Sequence, residues 1–170
     1  DDRMKPQALY HDNHLYVVYQ ANSDGKKKAN PFLKRYDTQK GKWSAPIQLG
    51  NSSGVDHHLG PIIWLDKEER FHILYDCHFG KGIHMISPTP LDTTSWEEGP
   101  IISPSITYPR VWQLSDNLTV LLYRSSGHLG FWVYQLSRDG GMTWDKARTI
   151  IDFDRDPEND LDEWAGSYVG

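Results

Sequence analysis

Two histidines, a tyrosine and an arginine stand apart in this sequence because hairpin geometry would bring them together. His58 and His78 bracket a reversal centred on residue 68, inside the stretch 66–70, and Tyr108 and Arg124 bracket one centred on Asp116. A hairpin that turns at one end brings the start of its first strand and the end of its second together at the other. Each pair is therefore expected to be a cross-strand couple, both on the same rim of adjacent units. Imidazole and phenol groups move protons, and a guanidinium presents a permanently charged fork that grips an anion. Taken singly, His58 and Tyr108 read as ordinary packed strand residues; four such groups in symmetric register read as a site.

Other reactive side chains fit this grouping less well. His57 adjoins His58 and would sit on the opposite face of an extended run. Cys77, next to His78, lacks the Cys/His spacing that completes a zinc site and is expected to be a buried thiol. His11 and His14 flank a turn and are expected to be exposed, whereas His72 and His84 alternate with apolar neighbours and are expected to be structural. Tyr168, after Trp164-Ala165-Gly166, is read by its position as a ligand-contacting ring. The carboxylates between Asp152 and Asp162 follow no EF-hand pattern and read as a solvated loop. No cofactor is required by these residues, and no metal site is indicated, although a structural ion remains compatible with them.

The elements that must position the four groups are strands. The runs Leu15–Tyr19, Phe71–Tyr75 and Thr119–Tyr123 are rich in β-branched and aromatic residues, and turns at Asp12-Asn13, Asp66-Lys67 and Asp116-Asn117 precede them. Trp43, Trp96 and Trp144 close successive segments at spacings of 53 and 48 residues. This period suits the four-stranded blade of a β-propeller, where roughly 40 to 50 residues make one blade. Helical periodicity is weak, and 14 Gly with 10 Pro punctuate the runs. The fold is read as all-β, with about three blades at 5–50, 51–103 and 104–152 and the start of a further blade at 153–170. A ring typically needs about 4 to 8 blades, so these are expected to belong to a larger propeller. Trp64, Trp112 and Trp132 alternate within strands and are expected in the blade cores.

The third repeat carries a specific turn, Ser137-Arg138-Asp139-Gly140-Gly141-Met142-Thr143-Trp144. It resembles the Asp-box, in which Asp caps a tight turn and Trp packs beneath it. Gly140 and Gly141 suit the positive φ of such a turn. Ser137, Asp139, Gly141 and Trp144 are accordingly read as structural, with Asp139 a brace for the turn and not a catalyst.

Composition excludes several classes. The 170 residues carry a formal charge of −5 and 12% aromatic side chains, which argues against disorder. The acidic balance lacks a Lys/Arg stripe and so argues against a nucleic-acid partner; Lys26-Lys27-Lys28 reads as a solvated loop. No apolar run approaches the roughly 20 residues of a membrane helix, so no membrane partner is expected. A single cysteine permits no internal disulfide.

Around the four polar residues the sequence resembles a family. Asp56-His57-His58-Leu59-Gly60-Pro61, Phe71-His72-Ile73-Leu74-Tyr75-Asp76-Cys77-His78, Thr107-Tyr108-Pro109 and Leu122-Tyr123-Arg124-Ser125-Ser126-Gly127 are similar to BNR-repeat propeller proteins that include the ulvan lyases. The resemblance implies a seven-bladed propeller, secreted or periplasmic, that cleaves an acidic, uronate-containing polysaccharide by β-elimination. It assigns His58 and His78 to the active-site histidine pair, Tyr108 to the catalytic tyrosine and Arg124 to carboxylate binding. Leu59 stands where many relatives carry Asn. A uronate lyase must neutralise the carboxylate before a base can remove the C5 proton, and Arg124 suits that task while a histidine donates to the developing enolate. Either Tyr108 or His58 could take the proton. Two other readings are a sialidase-like hydrolase, for which the arginine cluster is incomplete in this segment, and a non-catalytic carbohydrate-binding propeller.

Overall fold

Short β-branched and aromatic runs, separated by residues that reverse the chain, produce strands and almost no helix. The structure, a computed structural model, describes residues 6–22, 28–127 and 130–151. Three antiparallel sheets follow one another along the chain. The first contains β1 (Gln7–His11), β2 (His14–Ala21) and β3 (Asn30–Asp37), with β4 (Lys42–Trp43) and β5 (Ile47–Gln48) sharing the outer edge of β3. The second runs β6 (Ile62–Leu65), β7 (Phe71–Tyr75), β8 (Ile83–Ile86), β9 (Glu97–Glu98), and the third β10 (Thr107–Ser115), β11 (Leu118–Arg124), β12 (Trp132–Ser137), β13 (Arg148–Ile151). The first strands of the outer sheets, β1 and β10, both contact β6. This is the blade arrangement expected from the repeats. Tyr168 and the acidic stretch 152–162 lie outside the described residues.

Alternation along the strands divides the middle sheet between two cores. Ile63, Leu65, Phe71, Ile73 and Tyr75 pack with Tyr16, Val18, Leu33 and Leu49 of the first unit. Ile62, Trp64, Leu74 and Cys77 pack with Ile102, Ile106, Leu121, Tyr123 and Val133 of the third. Both faces of β6 and β7 are thus buried, and each large apolar side chain there contributes roughly 1.5–3 kcal/mol. Trp64 and Trp132 are core residues as expected, but Trp112 is 46% exposed. Trp112 lies in the outer half of β10, where Arg110 and Gln113–Ser115 are exposed as well.

The turn at 137–144 locks the third sheet onto the second. Ser137 Oγ donates to Asp139 Oδ1 at 2.8 Å and accepts from the Gly141 amide, while the Thr143 amide donates to Asp139 and Trp144 Nε1 to the Gly141 carbonyl. Partial burial opposes the charge of Asp139, but hydrogen bonds from Thr143 and Ser137 outweigh it and hold the carboxyl down at about 2. Across the interface Trp64 Nε1 donates to the Gly140 carbonyl at 2.8 Å. Gly140 has φ +75°, and a Cβ there would stand 2.3 Å from Asp66 Cβ. Beside it Trp64 stacks on His72 and His84. His72 and His84 are fully internal, bonded ring to ring at 3.0 Å, with His84 Nδ1 at 3.0 Å from the Pro100 carbonyl and His72 Nε2 near Asp66. These two are structural, as the alternation with apolar neighbours implied.

Two outcomes follow. Gly140→Ala adds a methyl where the backbone conformation and Asp66 both refuse it, and denaturant unfolding should show a loss of roughly 2–4 kcal/mol. Burial, with His72 nearby, pushes the His84 imidazole down to about 4 against the opposing Pro100 carbonyl. The unfolded chain protonates this ring near 6.5, so the folded state binds fewer protons. The contribution is therefore complete above that pH and is lost as pH falls towards 4, on the order of 3 kcal/mol. A plot of unfolding midpoint against pH should slope through this window in the parent and flatten in His84→Gln.

Candidate active site

At the end of β6 and β7 remote from their turn, three segments converge. The first is a single 3-10 turn at His57–Leu59, capped by Asp56, whose Oδ1 accepts from the His58 amide at 2.9 Å. An Asp placed just before a turn satisfies amides that the turn leaves open. The second is the segment after β7, where Asp76 (φ 61°) and Phe79 (φ 65°) flank His78 in the left-handed region. Asp76 accepts from Ser52 Oγ, the Ser53 amide and Ser53 Oγ, and its own amide donates to the Leu59 carbonyl. These bonds stitch the two histidine-bearing segments together. The third is the start of β10, reached through the Phe79 amide, which donates to Thr107 Oγ1 at 3.0 Å, and the Ile106 amide, which donates to the Gly80 carbonyl.

His58, His78 and Tyr108 meet at this junction. The ring centroids of His58 and His78 are 4.6 Å apart, Tyr108 lies edge-on to His58 at 5.1 Å, and His78 and Tyr108 are separated by 6.1 Å. All three are partly exposed. Asp56 joins the pair, with Oδ1 2.6 Å from His58 Nδ1 and Oδ2 2.7 Å from His78 Nδ1. Burial lowers the proton affinity of His58 below the ordinary imidazole value, and His57 and His78 add to this against the opposing pull of Asp56. Partial burial disfavours the Asp56 charge, yet the His58 amide and the two imidazoles outweigh it and hold this carboxyl below the usual range.

The four expected residues are placed differently from a pair of simple cross-strand couples. His58 lies on the 3-10 turn and not on a strand, because the chain bends at Asp56 before β6 begins at Ile62. For the same reason His57 is not on an opposite strand face; its ring stands 3.9 Å from that of His58. The partner of Arg124 is Thr107, not Tyr108, since a register shift between Thr107 and Arg110 inserts a bulge. Tyr108 occupies that bulge with φ +54°, and the following Pro109 brings no amide that the bulge would leave unsatisfied. Arg124 is 2% exposed and its Nε donates to the Gly130 carbonyl at 2.9 Å. Its guanidinium is thus held inside the third sheet at the end next to Tyr108. Cys77 is buried as expected, and burial pushes its thiol well above the ordinary range. His11 is half-buried and pairs with Glu69 at 2.9 Å, and His14 is half-buried as well, so neither is fully exposed as expected.

Sequence reasoning passed over Asp56 and Phe79. Asp56 was visible as an Asp two residues before a histidine, the spacing of a turn cap. Phe79 carries no such signal: it is 53% exposed, packs on His78 at 4.4 Å, and is set by its own left-handed backbone.

Comparison with known proteins agrees with this architecture. The family described as "BNR repeat-containing family member" matches residues 10–155. An ulvan lyase of Alteromonas sp. (strain LOR) is 29% identical over 189 residues, covering 97% of this chain and 38% of that protein. A solved structure titled as a polysaccharide lyase PL25 ulvan lyase superposes with a TM-score of 0.73 at 26% identity, over 84% of this chain and 36% of the other. A second, described as bound to -[GlcA(1-4)Rha3S]-, has the same TM-score at 25% identity, with the same coverage. The chain thus spans 38% of the length of the curated relative it matches.

The depressed basicity of His58 is directly measurable. An NMR titration of its ring should give a midpoint below 6.5, so that the ring is neutral at pH 7; a midpoint above that value would mean that Asp56 prevails over burial.

Proposed function

Because the chain belongs to the BNR repeat-containing family, we propose that it forms part of a polysaccharide lyase that cleaves an acidic, uronate-containing glycan by β-elimination. The observation that carries the reading is the part-exposed cluster of His58, His78 and Tyr108, with rings 4.6 to 6.1 Å apart, drawn from segments of two adjacent sheets. The three described sheets are then blades of a larger ring, seven-bladed as the resemblance implies, and the polymer lies across the rim where those groups converge. A polymer of this size is met outside the cytoplasm, which favours a secreted or periplasmic protein.

The chemistry assigns each group a task. A uronate C5 proton is acidic only if the charge that spreads into its carboxylate is compensated. Arg124 supplies a permanent positive charge inside the third sheet, where a low dielectric lengthens its reach, and His78 stands beside His58 against the sugar with its Nδ1 held by Asp56. His58, neutral at pH 7, takes the C5 proton. The C4–O bond to the next sugar breaks as the C4–C5 double bond forms, and the Tyr108 phenol gives its proton to the departing oxygen. Proton transfer by positioned groups of this kind accounts for roughly 10²- to 10⁴-fold in rate.

The test uses the full-length protein and an ulvan-type polymer, and follows the ultraviolet absorbance of the unsaturated uronate. Tyr108→Phe should lower kcat roughly 10²- to 10⁴-fold while KM changes little. Release of reducing ends without an unsaturated product would make the protein a hydrolase, and binding without turnover would make it a carbohydrate-binding propeller.

A further inference from the structure

Asp56 is the one carboxylate among the described residues that touches both imidazoles of the candidate site. Its two oxygens are divided between them, Oδ1 to His58 Nδ1 at 2.6 Å and Oδ2 to His78 Nδ1 at 2.7 Å, and Oδ1 also accepts the His58 amide. Its own carbonyl accepts from Gln20 Nε2 at 2.8 Å, which ties the residue to the first sheet. The three ligating atoms lie within 4.8 Å of one another, which could suit a cation. The distances decide against that arrangement: donors around one tetrahedral zinc stand roughly 3.3 Å apart, given metal bonds of about 2.0–2.1 Å. The 2.7 Å contact with His78 is a charge-assisted hydrogen bond, and the 2.6 Å contact with His58 is an ion-pair approach that a bare Nδ1 lone pair facing the carboxylate would repel.

We propose that Asp56 is the positioning residue of this site, fixing both His58 and His78 with a proton on Nδ1 so that both Nε2 atoms are left to face the substrate. The reason is stoichiometric. An ionised carboxylate only accepts and repels a facing lone pair, so each Nδ1 held this close to it must carry the hydrogen, and a neutral ring then has its lone pair on Nε2. One side chain thereby sets the tautomer and orientation of two rings that come from different segments. Among the described residues, the charged and titratable groups seen around the pair include Asp56, His57 and Tyr108, with each ring also facing the other. In its kinetic consequences the proposal rests on the lyase reading above; in its structural ones it does not.

The variant to make is Asp56→Asn in the full-length protein, since Asn still caps the turn but brings an amide that donates. Heteronuclear NMR of the histidine ring nitrogens, recorded without substrate, should show a proton on Nδ1 of both rings in the parent and its loss from one of them in Asp56→Asn. An Nδ1 without hydrogen in either ring of the parent would overturn the proposal whatever the protein catalyses. With an ulvan-type polymer, Asp56→Asn should lower kcat roughly 10²-fold or more, as a wrong tautomer does elsewhere, with KM within about threefold. The acid limb of kcat/KM should move to lower pH, because the carboxylate that favours the imidazolium is gone. A kcat within threefold of the parent and an unmoved acid limb would overturn the positioning role. So would loss of activity on chelation and its return with zinc, which would make Asp56 a ligand. If the parent yields no unsaturated product, the lyase reading fails while the NMR result still decides the role of Asp56.

Discussion

A carboxylate shared by two imidazoles is a demanding constraint, because it is met only when the cap of one short turn and the loop after a strand keep their spacing to within a few tenths of an ångström. Asp56, His58 and His78 satisfy it, and much of the surrounding hydrogen bonding serves that spacing. Asp76 ties Ser52 and Ser53 to the loop that carries His78, and Gln20 reaches from the first sheet to hold the Asp56 carbonyl. The Thr107 hydroxyl then joins this unit to the third sheet through Phe79. The imidazole pair is in effect braced from all three sheets.

Such bracing places backbone in uncommon conformations. Asp76, Phe79, Tyr108 and Ser126 all have positive φ at this junction, whereas Asp12, Asn13 and Glu69 adopt it in ordinary hairpin turns. Left-handed backbone costs a non-glycine residue on the order of 1 kcal/mol, and it is held here by the burial of the middle sheet on both faces. The opposite end of the same sheet is tied by Trp64, Asp66 and the turn at Gly140. A rigid, doubly covered sheet therefore presents a strained polar rim at one end and a locked polar network at the other.

The electrostatics of the rim follow from depth. His58 is shielded enough that its neutral form is favoured, and Asp56 is stabilised as a carboxylate by the amide and rings that it holds. Arg124 lies deeper, closed off from solvent, with Nε committed to the Gly130 carbonyl. A cation built into the wall in this way acts through its field and is not screened by water as a surface arginine is.

The hairpin reversals, the strand runs and the two buried histidines were legible in the sequence because they depend on local chemistry: Asp-Asn turns, period-two alternation and β-branched runs act within a few residues. The convergence of His58, His78 and Tyr108 was legible too, since hairpin symmetry about residue 68 and Asp116 is a matter of counting. The details that make the site were not. A one-residue bulge moved Tyr108 out of register with Arg124, a 3-10 turn replaced an expected strand at His58, and Trp112 stayed exposed. Each of these is decided by what packs against the segment from elsewhere in the chain. Residue types and spacing by themselves determined the all-β architecture and the chemical groups available at one rim. Tertiary structure alone decided that the cap Asp56 would also reach His78 and that Arg124 would be buried, because both depend on how segments from different parts of the chain pack together.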